Sequence, residues 1–307
     1  MTVSRDPARG SRASVATPAS PSHPIAVSEG TEHDVLHTMA RIGGAVGAIR
    51  TRYTGTPDVA IILGTGLGAL GGEIDVEDSM DYVDIPSFPL STVESHSGRL
   101  LFGTLGGKSV VAMQGRFHRY EGYSLQQVTF PVRVMRALGA GTLVVSNACG
   151  VMYPLWNPGE LMLIADHINL FGDNPLVGPN DDLLGPRFPD MSAAYDAALR
   201  ALARDVALEA RIVLREGVYV GVTGPNLETR AEYRFLRNAG ADVVGMSTVP
   251  EVIVAAHAGM RVLGISILTD RCLPDALEPA SVEEIIAVAG RAEPQLTTLV
   301  RGVLERM

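Results

Sequence analysis

Several short segments gather residues able to do chemistry, most of them directly after apolar runs. Gly64-Thr65-Gly66-Leu67-Gly68 follows Val59–Leu63. Glycines permit a tight turn and expose backbone N–H groups to an anion. The spacing is GxGxG, not the GxGxxG of a dinucleotide site, although Ala69 is small enough for a variant. Asp81 or Asp84 lies near the distance of the acidic partner, but Asp84-Ile85-Pro86 does not read as a strand end. No GxxxxGK[ST] occurs. The segment fits a small anion such as phosphate, with Thr65 adding a hydroxyl, or a tight turn with no ligand. Ser95-His96-Ser97-Gly98 and Gln114-Gly115-Arg116-Phe117-His118 are two more polar groups. An arginine at a strand end, two residues from a histidine, suits an oxyanion or a sugar hydroxyl. A solvated arginine and a capping histidine are the plain alternatives.

Small residues in Ser146-Asn147-Ala148-Cys149-Gly150 let a flat ligand approach the backbone. Cys149 has the chemistry of a nucleophile, but no neighbouring base marks it, and a buried, passive thiol is the simpler reading. Asn226-Leu227-Glu228-Thr229, Met246-Ser247-Thr248 and Ser266–Asp270 each follow or close an apolar strand. Polar groups at strand ends are how open α/β sheets build pockets. No HExxH exists, and His96 and His118 lack an obvious third ligand, so no metal site is expected.

The elements that must position these groups alternate along the chain. Helices are expected at 31–53, 125–138, 193–216, 229–238 and 250–259. A last helix starts near Ser281, where Glu284 makes a near capping box, and Pro294 is expected to break or kink it. Strands are expected at 59–63, 99–103, 108–113, 142–146, 161–164, 218–222, 243–244 and 262–269. The pair at 99–113 reads as a hairpin around Gly106-Gly107. Residues 171–191 form a long loop, and such loops inside compact proteins are usually functional. With no repeat and no linker, the economical reading is one α/β layered domain over 31–307, a mostly buried mixed sheet flanked by helices.

The chain has 307 residues, 46% hydrophobic, enough for a large core. Its formal charge of -9 argues against a nucleic-acid partner, which normally wants a basic face. Two cysteines exclude a disulfide scaffold and a multi-cysteine metal site. No run approaches the roughly 18 apolar residues of a membrane helix. Residues 1–30 are rich in Ser, Ala, Pro and Arg and read as a disordered tail, with a transit peptide as the alternative. No secretory signal is visible, so the expected location is the cytoplasm.

Taken in order, the segments resemble the trimeric purine nucleoside phosphorylases, whose relatives include the 5'-methylthioadenosine phosphorylases. The resemblance runs from Val35 to the C-terminus. It rests on Gly64–Gly68, His96–Arg99, Gln114–Tyr123, Asn147–Gly150, Asp166–Leu170, Gly178–Asp181, Gly224–Thr229 and Gly245–Glu251. It implies phosphorolysis of inosine and guanosine, as ribosides or deoxyribosides, to free base and (deoxy)ribose 1-phosphate. Inorganic phosphate is then a co-substrate, and no cofactor is needed. It implies that Thr65, His96, Arg116, the backbone of Ala148 and Ser247 hold phosphate. His118, Tyr120, Tyr219 and Met246 would border the sugar, and Leu227, Glu228 and Asp270 the base. Phe188 would reach a neighbouring subunit's sugar site in a homotrimer.

Two positions depart from the pattern of the mammalian enzymes. Asp270 stands where 6-oxopurine enzymes commonly carry asparagine, and Val282 aligns with a histidine that meets the ribose 5'-hydroxyl. Asp270 resembles the methylthioadenosine enzymes, the apolar Val282 removes that hydrogen bond and would favour a 5'-deoxy or 5'-methylthio group, and a broad 6-oxo- and 6-aminopurine enzyme is a further alternative. Glu228 points the other way, because it can accept the N1–H of a 6-oxopurine and adenine has none. A non-catalytic purine-binding protein is the reading from another class.

Overall fold

A computed structural model describes residues 29–64, 68–90 and 98–307. The segments holding Thr65, His96 and nearly all of the expected tail therefore lie outside the described residues. Among the described residues nine strands form one mixed sheet: β1 (Val59–Leu63), β2 (Asp75–Asp81), β3 (Arg99–Leu105), β4 (Lys108–Gln114), β5 (Thr142–Val151), β6 (Leu161–Leu170), β7 (Leu214–Val222), β8 (Val243–Gly245) and β9 (Arg261–Arg271). Seven helices accompany them: α1 (Glu29–Arg50), α2 (Gly68–Gly72), α3 (Leu125–Leu138), α4 (Ala197–Ala210), α5 (Arg230–Asn238), α6 (Val249–His257) and α7 (Val282–Leu304).

The sheet order is β2-β3-β4-β1-β5-β8-β7-β6-β9, and β9 also pairs with β5. That extra pairing turns β5, β8, β7, β6 and β9 into a closed ring. Side chains of β1 alternate between faces. Ala60 and Ile62 join a core with α1, α3 and α6 residues such as Ile49, Val134 and Val254. Val59, Ile61 and Leu63 join a second core with Leu199 of α4 and Leu296 and Val303 of α7. Helices thus cover both faces of the sheet, as the fold class requires.

Several boundaries move. The helix expected at 193–216 is α4, ending at Ala210. Arg211 takes a left-handed conformation (φ 55°, ψ 36°) and caps it. Apolar Ile212-Val213-Leu214 then leads into β7. Strands β5 and β6 run past their apolar starts to Val151 and Leu170, because ladder partners on β9 and β7 keep the polar residues in register. α7 continues through Pro294. Burial of Ala292, Leu296, Leu299 and Val303 against the second core offsets the roughly 3 kcal/mol that an internal proline costs. β2 and the short α2 had no apolar periodicity to announce them; β2 is a polar edge strand held by pairing with β3.

Candidate active site

A cleft of about 310 Å3 opens where β4, β5, β8 and β9 end. Arg116, His118 and Tyr120 enter it from the turn after β4, and Asn147–Gly150 from β5. Val244 to Ser247 come from β8 and the turn behind it, and Thr269, Asp270 and Cys272 from the end of β9. Leu227 and Glu228 precede α5. Val282, Ile285, Ile286 and Ala289 close the opposite side from the first turns of α7.

One end is built around a buried cation. Arg116 is 1% exposed. Its Nη1 donates to Ser146 O at 2.8 Å. Its Nη2 makes an ion pair with Glu251 and lies 3.5 Å from Thr248 Oγ1. Glu251 stands in the first turn of α6, where the helix dipole favours an anion. Thr248 ties this corner together. Its Oγ1 accepts from Asn147 Nδ2 at 2.9 Å and lies 3.1 Å from Ser247 Oγ. The Thr248 backbone has φ 72° and ψ -54°, and Val249 N–H donates to Ser247 O at 2.8 Å. This is a γ-turn of the rare, strained hand. A guanidinium, two hydroxyls and the small residues of β5 converge on one corner, which suits an oxyanion.

The histidine next to that corner is held by Glu121. His118 caps the short turn Arg119–Glu121: its N–H donates to Glu121 Oε1 at 2.8 Å, and Nδ1 lies 2.9 Å from the same oxygen. An ionised Glu121 accepts from a protonated Nδ1, and in that tautomer Nε2 carries the lone pair. Burial, foremost, holds the imidazole below its usual range, against the opposing pull of Glu121. The ring stacks on Tyr120 at 4.6 Å and 12°. His118 is both the capping histidine and a cleft residue, and its Nε2 can accept from a hydroxyl.

The other end carries two carboxyls. Burial, foremost, raises Glu228 above the ordinary carboxylate range, and Tyr233 of α5 lines the same cleft. Asp270 Oδ1 accepts from Thr269 Oγ1 at 2.8 Å, and Oδ2 from Cys272 Sγ at 3.2 Å. Gly150 must lack a side chain here. A Cβ would fall 2.4 Å from Cys272 Sγ and 3.3 Å from Asp270 Oδ2. Cys149 is buried, its thiol is pushed far up by burial, and Sγ faces Ile267 O at 3.6 Å. It is therefore no thiolate. Cys149→Ala is expected to keep kcat within roughly threefold, the size of an ordinary small core change. A covalent cysteine mechanism would show as complete loss in the same assay.

Of the expected site residues, Arg116, His118, Tyr120, Ala148, Leu227, Glu228, Met246, Ser247, Asp270 and Val282 share this one cleft. Tyr219 does not line it. Its ring is fully buried, its hydroxyl lies 3.4 Å from Ser247 N, and a Cβ on Gly245 would sit 2.2 Å from that hydroxyl. It props the β8 turn from behind. Phe188 lies outside the cleft of its own chain, 87% exposed, lining a second depression with His167, Arg187 and Ile253. Tyr233 and Cys272 were not singled out from sequence. Thr248 and Glu251 stood only inside the segments Met246-Ser247-Thr248 and Gly245–Glu251, with no role given to either. Among the described residues no helix is long and apolar enough to cross a membrane.

The phosphorylase superfamily model matches residues 58–305. The chain is 52% identical over 264 residues to purine nucleoside phosphorylase 1 of Bacillus subtilis (strain 168), spanning 86% of this chain and 97% of that protein. It is 49% identical over 264 residues to the purine nucleoside phosphorylase of Rattus norvegicus, spanning 84% and 91%. A purine nucleoside phosphorylase of Schistosoma mansoni solved in complex with adenosine superposes with a TM-score of 0.84 at 39% identity, covering 88% of this chain and 98% of that one. Isoform 2 from Schistosoma mansoni, solved with cytosine and ribose-1-phosphate, gives 0.84 at 40%, covering 87% and 96%. The chain belongs to the phosphorylase superfamily and, within it, to the purine nucleoside phosphorylases, enzymes acting on purine ribonucleosides.

Proposed function

We propose that the preferred reaction is phosphorolysis of inosine and guanosine, and of their deoxy forms, to free base and (deoxy)ribose 1-phosphate. The observation that carries this is Glu228, a half-buried carboxyl in the same cleft as the buried Arg116. An ionised Glu228 accepts N1–H of hypoxanthine or guanine and meets only a lone pair on adenine. Phosphate is assigned to the corner of Arg116, Ser247 and the Ala148 backbone, completed by Thr65 and His96. The sugar is assigned to His118, Tyr120 and Met246.

As the C1'–N9 bond breaks, the ribosyl carbon gathers positive charge and the purine negative charge. Phosphate held at the first corner attacks that carbon and stabilises its charge. Asp270 is assigned to the N7 edge of the leaving base. Thr269 O–H and Cys272 S–H donate to its two carboxyl oxygens and fix their direction. Leu227 packs against the base.

One observation favours a broader substrate range. Val282, Ile285 and Ile286 make the α7 side of the cleft apolar, which suits a 5'-deoxy or 5'-methylthio group, and Asp270 accepts from a 6-amino group. The exposed Phe188 supports a homotrimer in which it completes a neighbour's sugar site.

Initial rates with inosine, guanosine, adenosine and methylthioadenosine, each with and without phosphate, test the assignment. Base release without phosphate points to a hydrolase, and no release at all to a purine-binding protein. Glu228→Ala is expected to cut guanosine kcat/KM by roughly 10- to 100-fold, the worth of a hydrogen bond to a charged group, with little effect on adenosine. Unchanged guanosine turnover would remove Glu228 from the base site.

A further inference from the structure

We infer that Asn180, Arg187 and His257 are positioning residues: they brace the loop of residues 171–191 so that Phe188 stands ready to enter a neighbouring subunit's sugar site. The inference rests on the reading of Phe188 given above. A side chain that serves another subunit's site gets no support from its own cleft. Its direction has to be fixed by its own loop, and a loop without helix or strand has no backbone ladder to fix it.

Apolar contacts seat the loop first. Pro175 is buried, and Leu176, Leu184 and Met191 pack against the larger core. Phe188 does the opposite and is 87% exposed. Apolar burial therefore explains where the loop sits, but not why this ring points outward.

Polar side chains supply the missing constraint. Arg187 Nη1 donates to Leu176 O at 3.2 Å and to Gly178 O at 2.8 Å. It thereby ties the limb that carries Phe188 to the limb that enters the loop. Its guanidinium carbon also lies 5.7 Å from the centre of the Phe188 ring, within cation–π range. Asn180 closes the tip. Its Nδ2 donates to Gly185 O at 3.0 Å and to Asp182 Oδ1 at 2.7 Å, across the tight turn in which Leu184 N–H donates to Asp181 O. Its Oδ1 lies 3.3 Å from Nε2 of His257, which is 3% exposed at the end of α6. Gly185 rests on the same place, where a Cβ would collide with His257 O. At its other end α6 carries Glu251, the partner of Arg116. The phosphate corner and the base of this arm thus share one short helix.

The consequence lies in nucleoside binding. An arm braced in advance needs no further ordering when it meets a sugar, and ordering a side chain on binding weakens affinity. Loss of the brace is therefore expected to act on the nucleoside and to spare phosphate, since Phe188 is assigned to the sugar alone.

The test is a double-mutant cycle in the full enzyme: Phe188→Ala, Arg187→Ala and the two together. Each is titrated with inosine at saturating phosphate and with phosphate at saturating inosine. Phe188→Ala is expected to lower inosine kcat/KM by roughly 10- to 100-fold and Arg187→Ala by roughly tenfold, both mainly through KM, because misplacing a positioning group is enough for losses of that size. The double variant is expected to match Phe188→Ala within about twofold, because a brace with nothing to hold has no further effect. KM for phosphate is expected to stay at the wild-type value throughout. A merely structural role for Arg187 would multiply with Phe188→Ala and disturb phosphate as well, and that result overturns the inference. If Phe188→Ala leaves inosine kcat/KM unchanged, the sugar-site reading of Phe188 fails and takes the brace with it. If Phe188→Ala is impaired while Arg187→Ala is not, the brace alone fails. Should Arg187→Ala not fold, Asn180→Ala takes its place in the cycle, and an effect that multiplies with Phe188→Ala sinks the proposal in the same way.

Discussion

Arg116→Met is expected to lose phosphate-dependent turnover and stability together, while the double change Arg116→Met with Glu251→Leu recovers the stability alone. The Arg116 and Glu251 side chains are 2% and 3% exposed. Removing one partner strands the other charge in the core, which typically costs about 3–5 kcal/mol. Replacing both by apolar groups of similar volume is often neutral, because two desolvated charges disappear at once. Activity follows a different rule. Phosphate needs the guanidinium itself, so kcat/KM for phosphate should fall by roughly 100- to 1,000-fold in the single and the double variant alike. Denaturant unfolding and phosphate titration separate the two effects. If Arg116→Met keeps its kcat/KM for phosphate within tenfold of wild type, the guanidinium is structural and the phosphate lies elsewhere.

Thr248 should divide into a backbone effect and a hydroxyl effect. Its φ of 72° and ψ of -54° place a β-branched residue in a region where such strain costs of order 1–3 kcal/mol. Thr248→Gly relieves the strain, whereas Thr248→Val keeps both the strain and the shape. Both remove the oxygen that accepts from Asn147 Nδ2 and faces Arg116 and Ser247. The glycine variant is therefore expected to be more stable than the valine variant by about 1–3 kcal/mol. Both should lose roughly 10- to 100-fold in kcat/KM for phosphate, because a small misplacement of positioning groups can cost that much. Equal stability of the two variants would mean that the turn is not strained. Full activity in either would mean that the hydroxyl does not hold the corner.

Much of this site was visible from residue types. Arg116, His118, Glu228 and Asp270 were each exposed to inspection by standing after an apolar run, since a chain that leaves a buried strand at its end enters a pocket. The apolar runs themselves announced β1, β4 and the start of β5. What stayed hidden was whatever depends on the partner across the sheet. Asn147 to Gly150 carry no strand pattern, yet they are strand because β9 lies alongside. Cys272 looks like an ordinary core residue, and becomes a donor to Asp270 only because the end of β9 turns both into the cleft. Tyr219 erred in the opposite sense. Its type suited a sugar or base wall, but Gly245 leaves room for the ring behind the turn. Val282 kept its place at the cleft, on the apolar side made by α7.

The closure of β9 onto β5 has a colloidal consequence. A ring has no free ends, so among the described strands only β2 presents an unpaired backbone edge. Unpaired edges recruit other chains and seed aggregates. β2 has the sequence Asp75-Val76-Glu77-Asp78-Ser79-Met80-Asp81, four acidic residues in seven. A second copy approaching this edge brings the same charges against themselves. Part of the net charge of -9, of no use in binding an anion, thus serves to keep neighbouring sheets from extending into one another.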